Sequence, residues 1–251
     1  RDRCKMNISK VLLTKNLYEN PQRIAFIYND QKLTYKELYK EVLKRAKNMQ
    51  YQLTDKMVLL ILENSLDFVT NTLALWLIGK KIVFINSKLD YEMMNNIISK
   101  YSSFSILTKE QHKKKLNTEN INRDNIFNIK DFEHDIPENN KKDFLKTCPN
   151  TKSEFILHTS GSSGIPKGYV HDSNSIFHVC KSYGEKILHL TKYDVIFSPS
   201  NMTFAYGLGN SLYLPLYYGA TSILSYNIDI LDNLETCKKN NPTIIFGIPY
   251  I

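Results

Sequence analysis

The chain has 251 residues, 42% hydrophobic and 23% charged, enough to bury a sizeable core and to exclude a disordered, collagenous or disulfide-miniprotein class. Its net charge of +8 comes from lysines spread along the chain among acids, with one tight run at Lys113-Lys114-Lys115. No helix-turn-helix, RNA-binding aromatic motif or zinc knuckle accompanies them, so the charge points away from nucleic acid and favours anionic ligands.

The chain opens on polar Arg1-Asp2-Arg3-Cys4 with no apolar stretch of a signal peptide behind it. Ile24–Tyr28 reads as a strand and Asn29–Lys32 as a turn. Thr34 with Glu37 three residues on fits a capping box, and Leu38, Val42, Ala46 and Met49 follow at helical spacing. Met57–Leu62 is a strand-length apolar run. Leu66–Ile78 is a helix stopped by Gly79. Its most apolar part, Leu73–Ile78, is far short of the roughly 20 residues that span a bilayer. Ile82–Ile85, Tyr91–Tyr101 and Phe104–Leu107 continue as strand, helix and strand.

Residues 109–152 are rich in Lys, Asn, Asp and Glu and read as a polar surface connection with one or two short elements. It divides a first α/β sub-lobe, residues 1–108, from a second, residues 153–251. In the second, Glu154–His158, Asp194–Ser198, Thr221–Ser225 and Thr243–Phe246 are expected strands. Ser173–Leu190, bent at Gly184, and Asp229–Asn240 are expected helices. Strands alternating with helices imply mostly parallel sheets covered on both faces. Cys4, Cys148, Cys180 and Cys237 lack the short paired spacing of a zinc site and fit free thiols of a reducing, cytoplasmic compartment.

Eight of the nine glycines lie after residue 160, and three of them fall in Thr159-Ser160-Gly161-Ser162-Ser163-Gly164-Ile165-Pro166-Lys167-Gly168. A strand leads into this segment and a helix is expected behind it. Accessible amides, four hydroxyls and one lysine make a nest for phosphate. The lysine is followed by Gly168 rather than Ser or Thr, so the segment is not a P-loop of the Walker type.

That decapeptide, preceded by Phe155-Ile156-Leu157-His158, resembles the signature of the adenylate-forming, AMP-binding superfamily. The likeness extends over about residues 20–251 and is weakest over 109–152. Thr34-Tyr35-Lys36-Glu37-Leu38, the unit Met57–Leu89 with Asn64 and Gly79, and the Gly-x-Pro turn of Pro242–Pro249 carry it further. Phe204-Ala205-Tyr206-Gly207-Leu208-Gly209-Asn210 is similar to the acid-holding stretch of benzoate-type CoA ligases.

The resemblance implies the layered αβαβα N-terminal domain of adenylate-forming enzymes, truncated, with its C-terminal domain absent. It implies an acid–CoA ligase: a carboxylate attacks the α-phosphate of ATP with Mg2+, and coenzyme A, or a carrier protein's phosphopantetheine, takes the acyl group. Thr159, Ser160, Gly161, Ser162, Ser163, Gly164 and Lys167 would cradle the β- and γ-phosphates, with Lys167 in the catalytic role. Phe204, Ala205, Tyr206, Gly207 and Gly247 would hold an aromatic or small acid, although Phe204 and Tyr206 also suit ordinary core packing. His171 is either catalytic or an orienting hydrogen-bond partner, and His158 is structural. The superfamily's adenine- and magnesium-binding Thr-Glu motif, ribose-binding Asp and late lysine do not occur up to Ile251. A fragment unable to turn over alone is therefore expected, with a non-catalytic relative as the other reading.

Overall fold

The computed structural model describes residues 6–114, 116, 121–135, 141–159, 166–226 and 229–247. The first half runs α1 (Ile8–Glu19), β1 (Ile24–Tyr28), β2 (Gln31–Thr34), α2 (Tyr35–Gln52), β3 (Met57–Ile61), α3 (Leu66–Leu77), β4 (Lys81–Ile85), α4 (Tyr91–Ile98) and β5 (Phe104–Thr108). There follow α5 (Glu110–Lys113), β6 (Ile126–Asn128), α6 (Lys141–Thr147), β7 (Glu154–Thr159), β8 (Lys167–Asp172) and α7 (Ser173–Val179). The chain ends with β9 (Val195–Ser198), α8 (Ala205–Leu208), α9 (Leu214–Tyr218), β10 (Thr221–Leu224), α10 (Ile230–Asn240) and β11 (Ile244–Ile245).

These strands form two sheets. One has the order β11-β9-β10-β1-β2 and the other β6-β5-β3-β4-β7-β8. Every pairing is parallel except the hairpins β1–β2 and β7–β8. Alternation along the strands shows the layering. In β3, Val58 and Leu60 join the large core shared with α1, α2, α3 and the first sheet, while Leu59 and Ile61 face Met94, Ile97 and Ile98 of α4. In the first sheet Phe26, Ile196 and Leu224 face that same large core, and Ile27, Phe197 and Ile223 face Cys237 of α10. Five layers result: α10, sheet, central helices, sheet, α4.

Helix α3 sits in the middle and is buried from Phe68 to Leu77 on every side, its apolar residues interrupted by Thr70, Asn71 and Thr72, of which Thr70 and Asn71 bond carbonyls of the preceding turn. Trp76 packs against Phe84 and Phe155 at ring-centroid distances of 6.4 and 5.5 Å. Gly79 ends the helix with φ +77, a left-handed turn in which Lys80 N–H returns to the Leu75 carbonyl at 2.9 Å. The capping box at α2 is present in both directions, Glu37 N–H to Thr34 Oγ1 at 3.2 Å and Thr34 N–H to Glu37 Oε2 at 2.8 Å.

Several expectations change. The strand pairing does not follow a boundary at 109–152: β1 pairs with β10, nearly the length of the chain away, and β6 from the polar stretch pairs with β5. That stretch carries α5, β6 and α6. The turn after β1 contracts to Asn29 and Asp30, with Asn29 at φ +54, and Gln31 and Lys32 belong to β2. Helix α4 stops at Ile98. The helix from Ser173 turns π-helical over Cys180–Glu185 and ends there, short of Leu190. At Gly184 a Cβ would come within 2.7 Å of the Tyr218 ring, so the close approach of α9 accounts for that glycine. Helix α1 and the helical run from Ala205 to Tyr218 were not anticipated.

Candidate functional site

Parallel strands of both sheets end on one side of the molecule, where crevices form outside their carboxyl ends. Two asparagines lock these ends together. Asn64, just beyond β3, donates to the Ser200 carbonyl at 2.9 Å and the Ser225 carbonyl at 3.0 Å, and accepts the Met202 amide at 2.8 Å. Asn86, at the end of β4, accepts from Asn201 Nδ2 at 2.9 Å. The turn before Phe204, on the first sheet's side, is thereby fixed to the second sheet.

The Ser/Gly signature leads from strand β7 into a second strand, β8, and not directly into the helix expected. Strand β8 runs antiparallel to β7, with Thr159 opposite Lys167 as the last pair of the ladder. Helix α7 begins only at Ser173, capped by Asp172. The glycine at 168 explains part of this. A Cβ there would approach Tyr101 Oη to 2.7 Å and Ile156 Cγ2 to 2.9 Å, so β8 lies tight against its neighbours. Thr159 and Lys167 are exposed at the hairpin's open end. Ser160, Gly161, Ser162, Ser163 and Gly164 lie outside the described residues.

Around the hairpin, Lys100 Nζ donates to the Pro166 carbonyl at 2.9 Å. His158 Nδ1 meets the Phe84 carbonyl at 3.2 Å and Nε2 meets Tyr101 Oη at 3.0 Å. The carbonyl accepts only, so Nδ1 carries the proton and Nε2 accepts from the tyrosine. Burial pushes the His158 pKa below its ordinary value and favours this neutral ring.

A cavity of about 170 Å³ with almost wholly apolar walls connects the two signature regions. Phe84, Leu89 and Ile97 line it together with Thr159 and Pro166 of the hairpin, and Phe204 closes it. Behind it, Ala205 lines a second space of about 100 Å³ with Phe155, His171, Leu208 and Tyr213. His171 stacks on Phe155 at 5.3 Å, 17° between planes.

Phe204 and Tyr206 are 45% and 42% exposed, which removes ordinary core packing as their explanation. Tyr206 reaches Gly247, donating to its carbonyl at 3.3 Å, and meets Phe246 edge-on at 6.1 Å. Gly207 is obligatory, since a Cβ would stand 2.2 Å from the Asn201 carbonyl oxygen. The structure thus brings Phe204, Ala205, Tyr206, Gly207 and Gly247 to one place, and sets Phe204 beside Thr159 and Pro166. Asn64 stood out in the sequence only through the resemblance, and the contributions of Asn86, Lys100 and Tyr101 were not visible there.

A five-layer fold of two mostly parallel sheets, with Thr159 and Pro166 lining one recess with Phe204, matches the N-terminal domain of adenylate-forming enzymes. The chain belongs to the AMP-binding enzyme family, whose sequence pattern matches residues 13–251. It is 40% identical over 96 residues to the benzoate–CoA ligase of Thauera aromatica, covering 38% of this chain and 18% of that protein. Its fold matches a crystal structure of the anthranilate CoA ligase AuaEII in complex with anthranoyl-AMP. The TM-score is 0.79 at 20% identity, covering 97% of this chain and 49% of the other. It also matches the O-succinylbenzoate coenzyme A synthetase of Bacillus subtilis in complex with ATP and magnesium. Here the TM-score is 0.74 at 21% identity, covering 93% of this chain and 62% of the other. The chain therefore spans about half the length of these ligase structures. Among the described residues no helix is long and apolar enough to cross a membrane.

Proposed function

We propose that this chain supplies the phosphate-binding hairpin and part of the acid pocket of a ligase. That ligase activates an aromatic carboxylic acid with ATP and transfers the acyl group to coenzyme A. A carboxylic acid with a pKa of about 4 is ionised at neutral pH, so the first step needs no general base. What the protein must provide is alignment of two anions and relief of their charge. Lys167 supplies a full positive charge at the hairpin mouth, and Thr159 a hydroxyl across from it. Ser160, Ser162 and Ser163 would add donors, and Gly161 and Gly164 amide access, for the β- and γ-phosphates as they leave as pyrophosphate. Phe204, Ala205, Tyr206, Gly207 and Gly247 would form the wall against which a flat acid lies.

Magnesium, when bound with the nucleotide, would offset phosphate charge. Among the described residues no three His, Cys, Asp or Glu side chains gather to hold a metal ion, so its protein ligands are sought outside them. The observation that carries this reading is the shared cavity, in which Thr159 and Pro166 stand beside Phe204, so that phosphate and acid would meet. Calorimetric titration of pyrophosphate into the chain and into Lys167→Ala tests it. A charge-assisted contact is worth about 1.5–3 kcal/mol, so the variant should bind at least about tenfold more weakly. Equal affinity would overturn the phosphate assignment.

A further inference from the structure

The residues directly after α4 touch both legs of the phosphate hairpin from outside. Lys100 reaches the second leg through the Pro166 carbonyl at 2.9 Å. Tyr101 reaches the first leg through His158 at 3.0 Å, and His158 is itself held to β4 by the Phe84 carbonyl at 3.2 Å. The Tyr101 and His158 rings meet edge-on, 6.1 Å between centroids. The same tyrosine hydroxyl lies where a side chain at position 168 would stand, against the second leg.

We propose that Lys100 and Tyr101 are positioning residues of the phosphate site. They fix His158 and Pro166, the neighbours of Thr159 and Lys167, so that the hairpin mouth is set before an anion arrives. This rests on the phosphate reading of the hairpin given above. Groups such as Thr159 and Lys167 that are already held in place lose less conformational freedom when an anion binds them. Stability alone gives Lys100 little reason to be there. It is an exposed side chain reaching a backbone carbonyl across solvent, a contact of small net worth.

Both residues can be changed with little disturbance to the fold: Lys100→Met keeps the aliphatic stem, and Tyr101→Phe keeps the ring. Pyrophosphate affinity is measured by calorimetry on the full chain, alongside the melting midpoint and hydrogen–deuterium exchange at residues 159 and 166–169. Each single variant should weaken pyrophosphate binding by about fivefold and the pair by more than about tenfold, the equivalent of one ordinary hydrogen bond per contact. Exchange at the hairpin ends should rise, the melting midpoint should hold, and Lys100→Arg should restore affinity. If the unaltered chain binds no pyrophosphate, the phosphate reading falls and the positioning role falls with it. If the unaltered chain binds and the double variant binds equally well, the positioning role alone is overturned. An affinity loss that merely follows a lowered melting midpoint, with no recovery in Lys100→Arg, would make these contacts plain fold supports and would also overturn it.

Discussion

Replacing Gly207 by alanine tests how tightly the turn before Phe204 is held. The new Cβ would lie 2.2 Å from the Asn201 carbonyl oxygen and 2.7 Å from that of Ser200, both backbone atoms, where ordinary contact begins at 3.4 Å. The turn must therefore move by about 1 Å, and overpacking of this kind costs about 1–3 kcal/mol. Moving it also strains the two bonds by which Asn64 holds Ser200 and Met202. Each buried group left unpaired adds about 1–3 kcal/mol. Against this, alanine in a helical position gains about 1 kcal/mol over glycine. The net expectation is a loss of about 3–5 kcal/mol. Urea unfolding followed by the fluorescence of the single tryptophan, buried Trp76, measures it. Two companions calibrate the result. At Gly209 a Cβ would meet the Tyr213 hydroxyl at 2.8 Å, a side-chain tip that can shift, so the helix gain offsets most of the clash and the variant should be nearly neutral. At Gly247 nothing lies within 4 Å, so alanine should change stability by less than about 0.5 kcal/mol. A Gly207→Ala protein as stable as the parent, or a Gly247→Ala protein equally damaged, would refute the reasoning.

Asn64→Asp keeps the acceptor for Met202 but loses both donors, and it should cost about 2–4 kcal/mol in urea titrations, close to Asn64→Ala. A fully stable aspartate variant would show that the two carbonyls do not need the asparagine. His158 has a folded pKa below its ordinary value, so its contribution is complete above about pH 6.5. It is lost as pH falls through the folded value, because the unfolded chain takes the proton first. His158→Gln should flatten the decline in urea midpoint between pH 7.5 and 5, and an unchanged slope would contradict the assignment. Burial pushes the Cys148 and Cys180 thiols up to about 11 and about 12. Iodoacetamide on the native protein at pH 8 should therefore reach the half-buried Cys237 well before either, as read by peptide mass spectrometry. Comparable labelling of all three would argue against that burial.

Much of the framework is legible because it is written in local patterns. Thr34 and Glu37 state a helix start, Gly79 states a stop, and apolar runs such as Met57–Leu62 state buried parallel strands. Helix α1 escaped because its inward face mixes Leu12 and Leu13 with Ser9 and Asn16, polar residues that reach distant backbone at Leu73 and Leu216. The run from Ala205 to Tyr218 hid behind Gly207, Gly209 and Pro215, residues that normally interrupt helices. Strand β8 is exposed over its first four residues and lacks the alternation that announces a strand. At the site, the residue types proposed to contact phosphate or acid stand in recognisable strings. Of the residues that hold them, Asn64 stands in a recognisable string, but Asn86, Lys100 and Tyr101 act on partners far away in sequence, and nothing local marks them.

The interleaving of the two sheets has a consequence for how the chain is made. All six strands of the second sheet lie between residues 57 and 172, nested inside a first sheet whose β1–β2 hairpin comes earlier and whose β9, β10 and β11 come later. As the polypeptide leaves the ribosome, the nested sheet is complete once Asp172 is free, while β1 has no parallel neighbour until Thr221–Leu224 emerge. Closing the chain from β1 to β10 directly would cost about 4–5 kcal/mol of loop entropy for nearly 200 open residues. A nested sheet already folded shortens that span and draws the ends together. The early hairpin is then enclosed only after the nested sheet is complete, and its unpaired edge is the surface that must be kept from other chains until then.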